Sequence, residues 1–178
     1  MKKTIIGVLS LFLIVLFSTL CFAAGTVTVT QGDTRASDTP GVIMSRTLTF
    51  TCTGDSGDGT IPNTATDTAQ SAHVKGWYLY RITAFPTSGG TAPDAASVFI
   101  LNANSLDLLG SEDGSTTAYN GLNLIHATLP RTTMPNMYIP RAGAHNNYYP
   151  EITGVLTLKV SDQATASANW TIVLTFVK

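Results

Sequence analysis

Hydrophobic and polar residues alternate with a period of two along most of the chain beyond residue 24. Thr26–Thr30 alternates threonine with valine, and Thr47–Thr53 alternates threonine with Leu48, Phe50 and Cys52. This alternation indicates β-strands with one buried and one solvated face, because successive side chains of a strand point to opposite sides of the sheet. We therefore predict two half-buried strands whose outward faces are covered by threonines.

Later segments carry the same signal in different forms. Gly76–Thr83 is rich in aromatic and β-branched residues, and Val98–Leu101 is a short continuous apolar run. Both compositions are typical of strands in a packed sheet. Leu122–Ala127 is a weaker strand candidate. Gly154–Val160 and Trp170–Val177 are separated by a short polar stretch, which predicts two antiparallel neighbours.

The segments between these strands predict turns rather than long helices. Glycine, proline, aspartate and serine are concentrated there, and residues 66–73 allow a single short helical turn. Residues 128–150 contain four prolines, which excludes central strands and predicts a long surface excursion. Many strands without long helices favour an all-β fold, either an antiparallel β-sandwich or a jelly-roll-like domain.

The inward positions of these strands supply the predicted core, because period-two apolar faces must be buried against a second sheet. Its predicted members are Val27, Val29, Leu48, Phe50, Trp77 or Tyr78, Ile82, Phe99, Leu156, Leu158, Val160, Ile172, Leu174 and Phe176. Cys52 shares the face of Leu48 and Phe50, so we predict a small buried thiol; a reactive or intermolecular thiol is the alternative.

The first 24 residues have the layout of a secretory signal peptide. Lys2 and Lys3 precede the apolar run Ile5–Phe17, and Ala23 and Ala24 supply small residues for cleavage. An uncleaved membrane anchor is the alternative. Cleavage leaves residues 25–178 as a single exported domain, located in the periplasm, outside the cell or on a virion, with membrane contact only through the leader.

Composition narrows the classes of partner. The chain has 10 Lys and Arg residues against 11 Asp and Glu residues, and charged residues make up 12% of it. A nucleic-acid-binding surface needs clustered Lys and Arg to neutralise phosphates, and here these residues are few and scattered. We therefore expect no nucleic-acid partner.

The candidate catalytic and metal motifs favour structural interpretations. Gly54–Gly57 resembles the sequence around a protease nucleophile, but no histidine precedes Ser56, so we predict a β-turn. Asp55 and Asp58 lack the spacing of a calcium-binding loop, and a solvated turn is favoured. His73, His126 and His145 are far apart in sequence, with no second metal ligand at a typical spacing. We expect no catalytic residue, cofactor or metal.

One loop combines tyrosines with amides and a histidine, a composition that suits recognition and stacking on sugars. This predicted recognition surface comprises Tyr138, His145, Asn146, Asn147, Tyr148 and Tyr149. The alternative is a loop that folds its tyrosines back over the end of the β-fold.

Four segments together resemble a family of small all-β proteins of bacteriophages and prophages. These segments are Gly76–Thr83, Thr91–Asp94, Leu106–Gly110 and Gly154–Val160. The resemblance covers the chain from Gly76 to its C-terminus and implies a virion-associated protein. It implies no catalytic or ligand residues, since none are established for such proteins.

These observations rank three function classes. A non-catalytic structural or accessory protein that contacts other protein subunits, in a homo-oligomer or a virion, comes first, because weakly charged threonine faces lose little hydration on packing. A secreted adhesin or carbohydrate-binding module, with glycans as ligands, is the alternative. An enzyme comes last, because no nucleophile–base pair or metal-ligand set is readable.

The leader generates a first prediction. After expression in a secreting bacterium, intact-mass measurement is expected to show a protein that begins at Ala24 or Gly25, because the small residues at this junction suit signal peptidase. A mass that still includes residues 1–22 would instead indicate a membrane anchor.

Overall fold

A computed structural model describes residues 24–35, 43–94, 96–105, 107–109, 122–123, 131–133, 137–138, 147–148 and 150–178. The strands within them are β1 (Thr26–Arg35), β2 (Ile43–Thr53), β3 (Thr64–Ala65), β4 (Tyr78–Pro86), β5 (Ser97–Leu101), β6 (Leu122–Asn123), β7 (Arg131–Thr133), β8 (Met137–Tyr138), β9 (Asn147–Tyr148), β10 (Thr157–Ser161) and β11 (Asn169–Val177). One helix, α1 (Thr68–Val74), is present in this part of the chain.

The strands form two principal antiparallel sheets, which confirms the prediction of an all-β fold. Sheet A has the order β1-β2-β11-β4-β7, and sheet B has the order β3-β10-β5-β6. Strands β8 and β9 form a separate two-stranded sheet. The pairings between these strands are antiparallel.

The register of sheet A aligns its apolar residues in rows across the strands. Phe50 of β2 pairs with Val29 of β1 and with Ile172 of β11. In the next row, Leu174 lies between Leu48 and Ile82. Because the side-chain period is two, these rows place one face of each strand in the core and the alternate residues on the opposite face.

Both sheets contribute to one hydrophobic cluster. Its buried members are Leu48, Phe50, Cys52, Ile61, Val74, Trp77, Leu79, Ile82, Ala84, Ala96, Val98, Ile100, Leu108, Leu109, Ile152, Leu156, Leu158, Trp170, Ile172, Leu174 and Phe176. Val27, Val29 and Val160 pack against it while partly exposed. The predicted core is therefore confirmed at most of its positions. Of the two alternatives Trp77 and Tyr78, Trp77 is the buried residue, since Tyr78 is 41% exposed.

The short helix α1 begins at a capping box, which confirms the predicted helical turn near residues 66–73. The backbone amide of Gln70 donates to Asp67 Oδ1 at 2.7 Å, and the backbone amide of Asp67 donates to Gln70 Oε1 at 2.9 Å. Such reciprocal bonds satisfy backbone donors that have no partner within the helix. Val74 then enters the core, so α1 is held by both its cap and its packing.

The predicted pairing of the last two strands is wrong. Strand β10 pairs with β3 and β5 in sheet B, whereas β11 pairs with β2 and β4 in sheet A. The connection between them is held against the turn at residues 54–59: the Gly54 amide donates to Ala168 O at 2.8 Å. Gly59 has a φ of +77°, and a Cβ there would lie 2.7 Å from the Ala164 carbonyl carbon. The chain between β10 and β11 thus packs against this turn and passes from sheet B to sheet A instead of forming a hairpin.

Phe99 was also predicted in the core, and that prediction is wrong. Val98 and Ile100 are fully buried, whereas Phe99 is only partly buried and points to the opposite face of β5. The Lys159 ammonium lies 5.4 Å from the centre of the Phe99 ring. A continuous apolar run has no period, so the sequence alone does not indicate which of its residues face inward.

The described residues of the proline-rich stretch form short strands outside the centres of the two principal sheets, in agreement with the prediction that its prolines exclude central strands. Strand β7 is the outermost strand of sheet A, and β8 and β9 lie outside both principal sheets. The predicted leader, residues 1–24, lies outside the described residues except for its last residue, Ala24. Within the described ranges, no helix is both long enough and apolar enough to cross a membrane.

The core generates a stability prediction. Leu174→Ala removes a fully buried side chain from the central strand of sheet A, and we expect the free energy of unfolding to fall by about 2 to 5 kcal/mol. Phe99→Ala is the control and is expected to cost about 1 kcal/mol, because this ring is partly solvated. Urea denaturation followed by tryptophan fluorescence measures both, and equal losses would contradict the inward and outward assignments.

Candidate functional site

The predicted recognition surface falls only partly within the described residues. Tyr138 of β8 pairs with Asn147 of β9, and Met137 pairs with Tyr148. The backbone therefore brings Tyr138 beside Asn147 across a separation of nine positions in sequence. The other members, His145, Asn146 and Tyr149, lie outside the described residues.

The chain that follows this segment is fixed to β4. The Leu79 amide donates to Pro150 O at 3.0 Å, and the Ile152 amide donates to Trp77 O at 2.8 Å. Ile152 is itself buried in the hydrophobic cluster. The position directly after Tyr149 is thus anchored to the end of sheet A.

The outward face of sheet A carries an ordered set of threonines. We call this surface the threonine face; its threonines are Thr26, Thr28, Thr30 and Thr34 in β1, Thr47, Thr49, Thr51 and Thr53 in β2, Thr83 in β4, and Thr171 and Thr175 in β11. Gly32, Ser45, Asn169, Val173, Phe85 and Arg81 lie on the same face. The register places these residues in continuous cross-strand rows, of which Thr30, Thr49, Val173 and Thr83 form the middle one.

The periodicity of strands fixes the spacing of this array. Neighbouring strands lie about 4.8 Å apart, and residues on the same face of one strand lie about 6.8 Å apart. The threonines of β1 and Thr51 are exposed, whereas Thr171 and Thr175 of the central strand are buried, with 9% and 8% of their surface exposed. The exposed hydroxyl and methyl groups of this face are therefore concentrated on β1 and β2.

The threonine face has very little charge. Among its outward side chains that the structure describes, Arg81 is the only charged one. A threonine hydroxyl both donates and accepts a hydrogen bond, so the exposed threonines of β1 and Thr51 can exchange water for a neutral partner in either role. Such a surface suits contact with another weakly charged protein surface better than binding of an ion or a phosphate.

A cluster of charged and polar side chains lies beside α1, near the start of β2. The Arg46 guanidinium lies 4.6 Å from the centre of the Trp77 ring, and its Nε lies 3.5 Å from Asp33 Oδ1. Arg46 Nη1 also donates to the backbone oxygen of His73. His73 Nε2 in turn lies 3.2 Å from Gly32 O and 3.5 Å from Asp33 Oδ1.

This Arg46 cluster has a structural role, because four of its contacts join α1 or Trp77 to β1 or β2, and the contact of Arg46 with Asp33 joins β2 to β1. The sequence analysis did not identify it. A signal was present: Arg46 lies two residues before Leu48, so the period of β2 assigns a charged side chain to the inward face. A buried or half-buried charge requires a partner, and Asp33 supplies it.

The Gly54–Gly59 segment is a hydrogen-bonded turn, as predicted. Asp55 Oδ1 accepts from the Gly57 amide at 2.6 Å and from the Asp58 amide at 3.2 Å. Asp58 Oδ1 accepts from the Thr60 amide at 2.9 Å, and this bond lowers the pKa of the Asp58 carboxyl. Both carboxylates therefore organise the turn. Within the described ranges, no group of three or more His, Cys, Asp or Glu residues is arranged to hold a metal ion.

Cys52 is fully buried, which confirms its predicted place in the core. Burial disfavours the thiolate and raises the pKa of Cys52 to about 12. The thiol consequently stays protonated at neutral pH and is a poor nucleophile.

This burial generates a prediction of reactivity. In the folded protein at about pH 8, Cys52 is expected to resist a chromogenic disulfide reagent, because the thiolate is the reactive species and is scarce at that pH. After unfolding in urea, the same thiol is expected to react fully. Rapid reaction of the folded protein would show that Cys52 is accessible.

The geometry thus offers two candidate surfaces, the threonine face and the β8–β9 segment. Both consist largely of uncharged residues. Comparison with protein-family models, with curated proteins and with solved structures finds no match for the chain.

Proposed function

We propose that this is an exported, non-catalytic structural or accessory protein that acts through contacts with other protein subunits. The threonine face is the observation that carries this proposal. The resemblance of four segments to bacteriophage and prophage proteins favours a virion as the assembly in which the protein works.

The proposed architecture is a β-sandwich formed by sheets A and B. It is supported by the shared hydrophobic cluster, to which both sheets contribute buried residues. In this arrangement the inward faces are used for folding, and the exposed residues on the opposite face of β1 and β2 are available to a partner. Alternate residues of β2 and β11 point to opposite faces of sheet A. One set is therefore used for folding, and the other set faces outward.

The energetics of the threonine face support subunit contact. Packing a charged side chain against a partner requires removal of its hydration shell, and an unpaired buried charge is strongly unfavourable. A threonine hydroxyl has a smaller desolvation cost and recovers it with one hydrogen bond to the partner. Its methyl group and the exposed edge of Phe85 add apolar area to the contact.

The polar clusters of the described residues support a non-catalytic role. Asp55 and Asp58 are occupied by backbone amides of their own turn, and Arg46 is occupied by Asp33, Trp77 and His73. These groups therefore stabilise local structure.

A secreted adhesin or carbohydrate-binding module is the second candidate, because β8 and β9 bring Tyr138 beside Asn147. Aromatic rings stack on sugars, and amides bind their hydroxyl groups. A glycan array separates this function from the first: a sugar ligand lost in the Tyr148→Ala and Tyr149→Ala variants would favour it.

The proposed function generates a prediction about assembly. Thr51 is exposed on the threonine face, and Thr51→Lys is expected to reduce association with host particles by about tenfold or more, because the new ammonium must be desolvated. Thr153→Lys adds the same charge at an exposed position outside the strands and is the matched control.

Co-sedimentation of tagged protein with purified particles measures both variants. The wild type and Thr153→Lys are expected to sediment equally with the particles. Equal sedimentation of all three proteins would show that the threonine face is not the contact, and absence of the wild type from every particle fraction would contradict the proposed function.

A further inference from the structure

We propose that the bond between Ala24 and Gly25 is a processing site that is accessible only while the domain is unfolded. Signal peptidase must therefore cut before sheet A closes on Gly25, and a chain that folds first keeps its leader. This proposal rests on the proposed function, because export supplies the leader and the peptidase. It adds the order of the two events, which is cleavage followed by folding.

Gly25 packs against the backbone of the turn at residues 54–59. A Cβ at Gly25 would lie 2.1 Å from Thr60 O. The next nearest atoms are Asp55 N at 3.0 Å and Thr53 O at 3.1 Å. The Asp55 amide donates to the same Thr60 oxygen at 2.9 Å, so Gly25 lies against an intact backbone hydrogen bond. All of these neighbours are backbone atoms, which cannot rotate away as a side chain can.

The connection between β10 and β11 holds this turn in place. The Gly54 amide donates to Ala168 O at 2.8 Å, and the Ser167 amide donates to Asp55 O at 3.0 Å. The Gly59 amide donates to the same Asp55 oxygen at 3.1 Å. The surface that Gly25 contacts therefore forms only when segments distant in sequence come together, and it is absent from the unfolded chain.

The residues that follow Gly25 are held by β2. Thr26 pairs with Thr53, and Val27 pairs with Cys52. Val27 also packs against the hydrophobic cluster. The segment after the proposed bond is thus part of the fold from its first residue.

The other side of the bond is open. Ala24 is exposed and lies outside the strands, so the fold restrains the junction from the Gly25 side. Cleavage one bond earlier, before Ala24, is the other predicted position, and it leaves Gly25 as the second residue after the cut. Both positions place Gly25 within the stretch that a peptidase must bind.

The chemistry of cleavage explains why this packing matters. Water adds to the Ala24 carbonyl carbon and the C–N bond to Gly25 breaks, so that the leader leaves with a carboxylate and Gly25 takes a proton to become an α-ammonium group. A peptidase must enclose the residues on both sides of that bond, which is why exposed and unpaired segments are cut first. In the folded domain, the turn at residues 54–59 and strand β2 occupy that space.

Cleavage of the full-length precursor by purified signal peptidase tests this order of events. The precursor is extracted in detergent from cells depleted of the peptidase, and tryptophan fluorescence verifies that it is folded. At low peptidase concentration, cleavage of a protected bond follows the population of open molecules. Leu174→Ala is therefore expected to be cut about thirtyfold faster than the wild type or more, and Phe99→Ala, the matched control, about fivefold faster.

A spacer variant tests whether the packing of Gly25 is the cause of the protection. A flexible insert of about eight Gly and Ser residues between Ala24 and Gly25 retains the leader and moves the bond away from the turn. This precursor is expected to be cut about a hundredfold faster than the wild type, at a rate that Leu174→Ala does not change. A wild-type precursor that is cut as fast as the spacer precursor would overturn the proposal, as would a wild-type rate that Leu174→Ala leaves unchanged.

The outcomes separate this proposal from the proposed function. Release of cleaved protein by cells, together with rapid cutting of the folded wild-type precursor, retains export and excludes the order of events. A folded precursor that resists the peptidase while the spacer precursor is cut, in cells that never release cleaved wild-type protein, retains the protected junction and contradicts export.

Discussion

The alternation of side chains in β2 and β11 is the constraint on which the rest of the structure depends. Leu48, Phe50, Ile172 and Leu174 point into the hydrophobic cluster, and the residues between them form the opposite face of sheet A. A slip of one residue in this pairing would expose the apolar set and bury the threonines. The apolar burial that stabilises the fold therefore also determines that the threonines are presented together, in rows, on one side.

Much of this arrangement can be predicted from the sequence, and the predictions that are wrong have physical causes. Period-two segments gave the strands and the faces of β1, β2 and β11, because alternation is a local property. The pairing of strands, in contrast, is not a local property. Polar and apolar residues alternate in both β10 and β11, yet these strands belong to different sheets, and the connection between them packs against Gly59 through residues 164–165. Phe99 was misassigned because the run Val98–Leu101 has no polar position to mark its outward face.

The candidate sites show the same division between local and long-range information. The threonine-rich outward faces follow from strand periodicity, whereas their union into one surface requires the strand order, which brings β1, β2, β11 and β4 side by side. The period of β2 indicates that Arg46 points inward, but its partners Asp33, His73 and Trp77 come together only through the tertiary fold. Similarly, the pairing of Tyr138 with Asn147 joins two positions nine residues apart, and no pattern in the sequence indicates it.

The central claim is that strand periodicity places the threonines of β1 and Thr51 of β2 on the exposed face of sheet A and the leucines of the same sheet in the hydrophobic cluster. Paramagnetic relaxation of methyl resonances by a soluble gadolinium chelate measures this most directly. The account predicts strong relaxation of the Thr30 and Thr51 methyls, while the Leu48 and Leu174 methyls stay protected. Leucine methyls relaxed as strongly as those of threonine would contradict the inward and outward assignment.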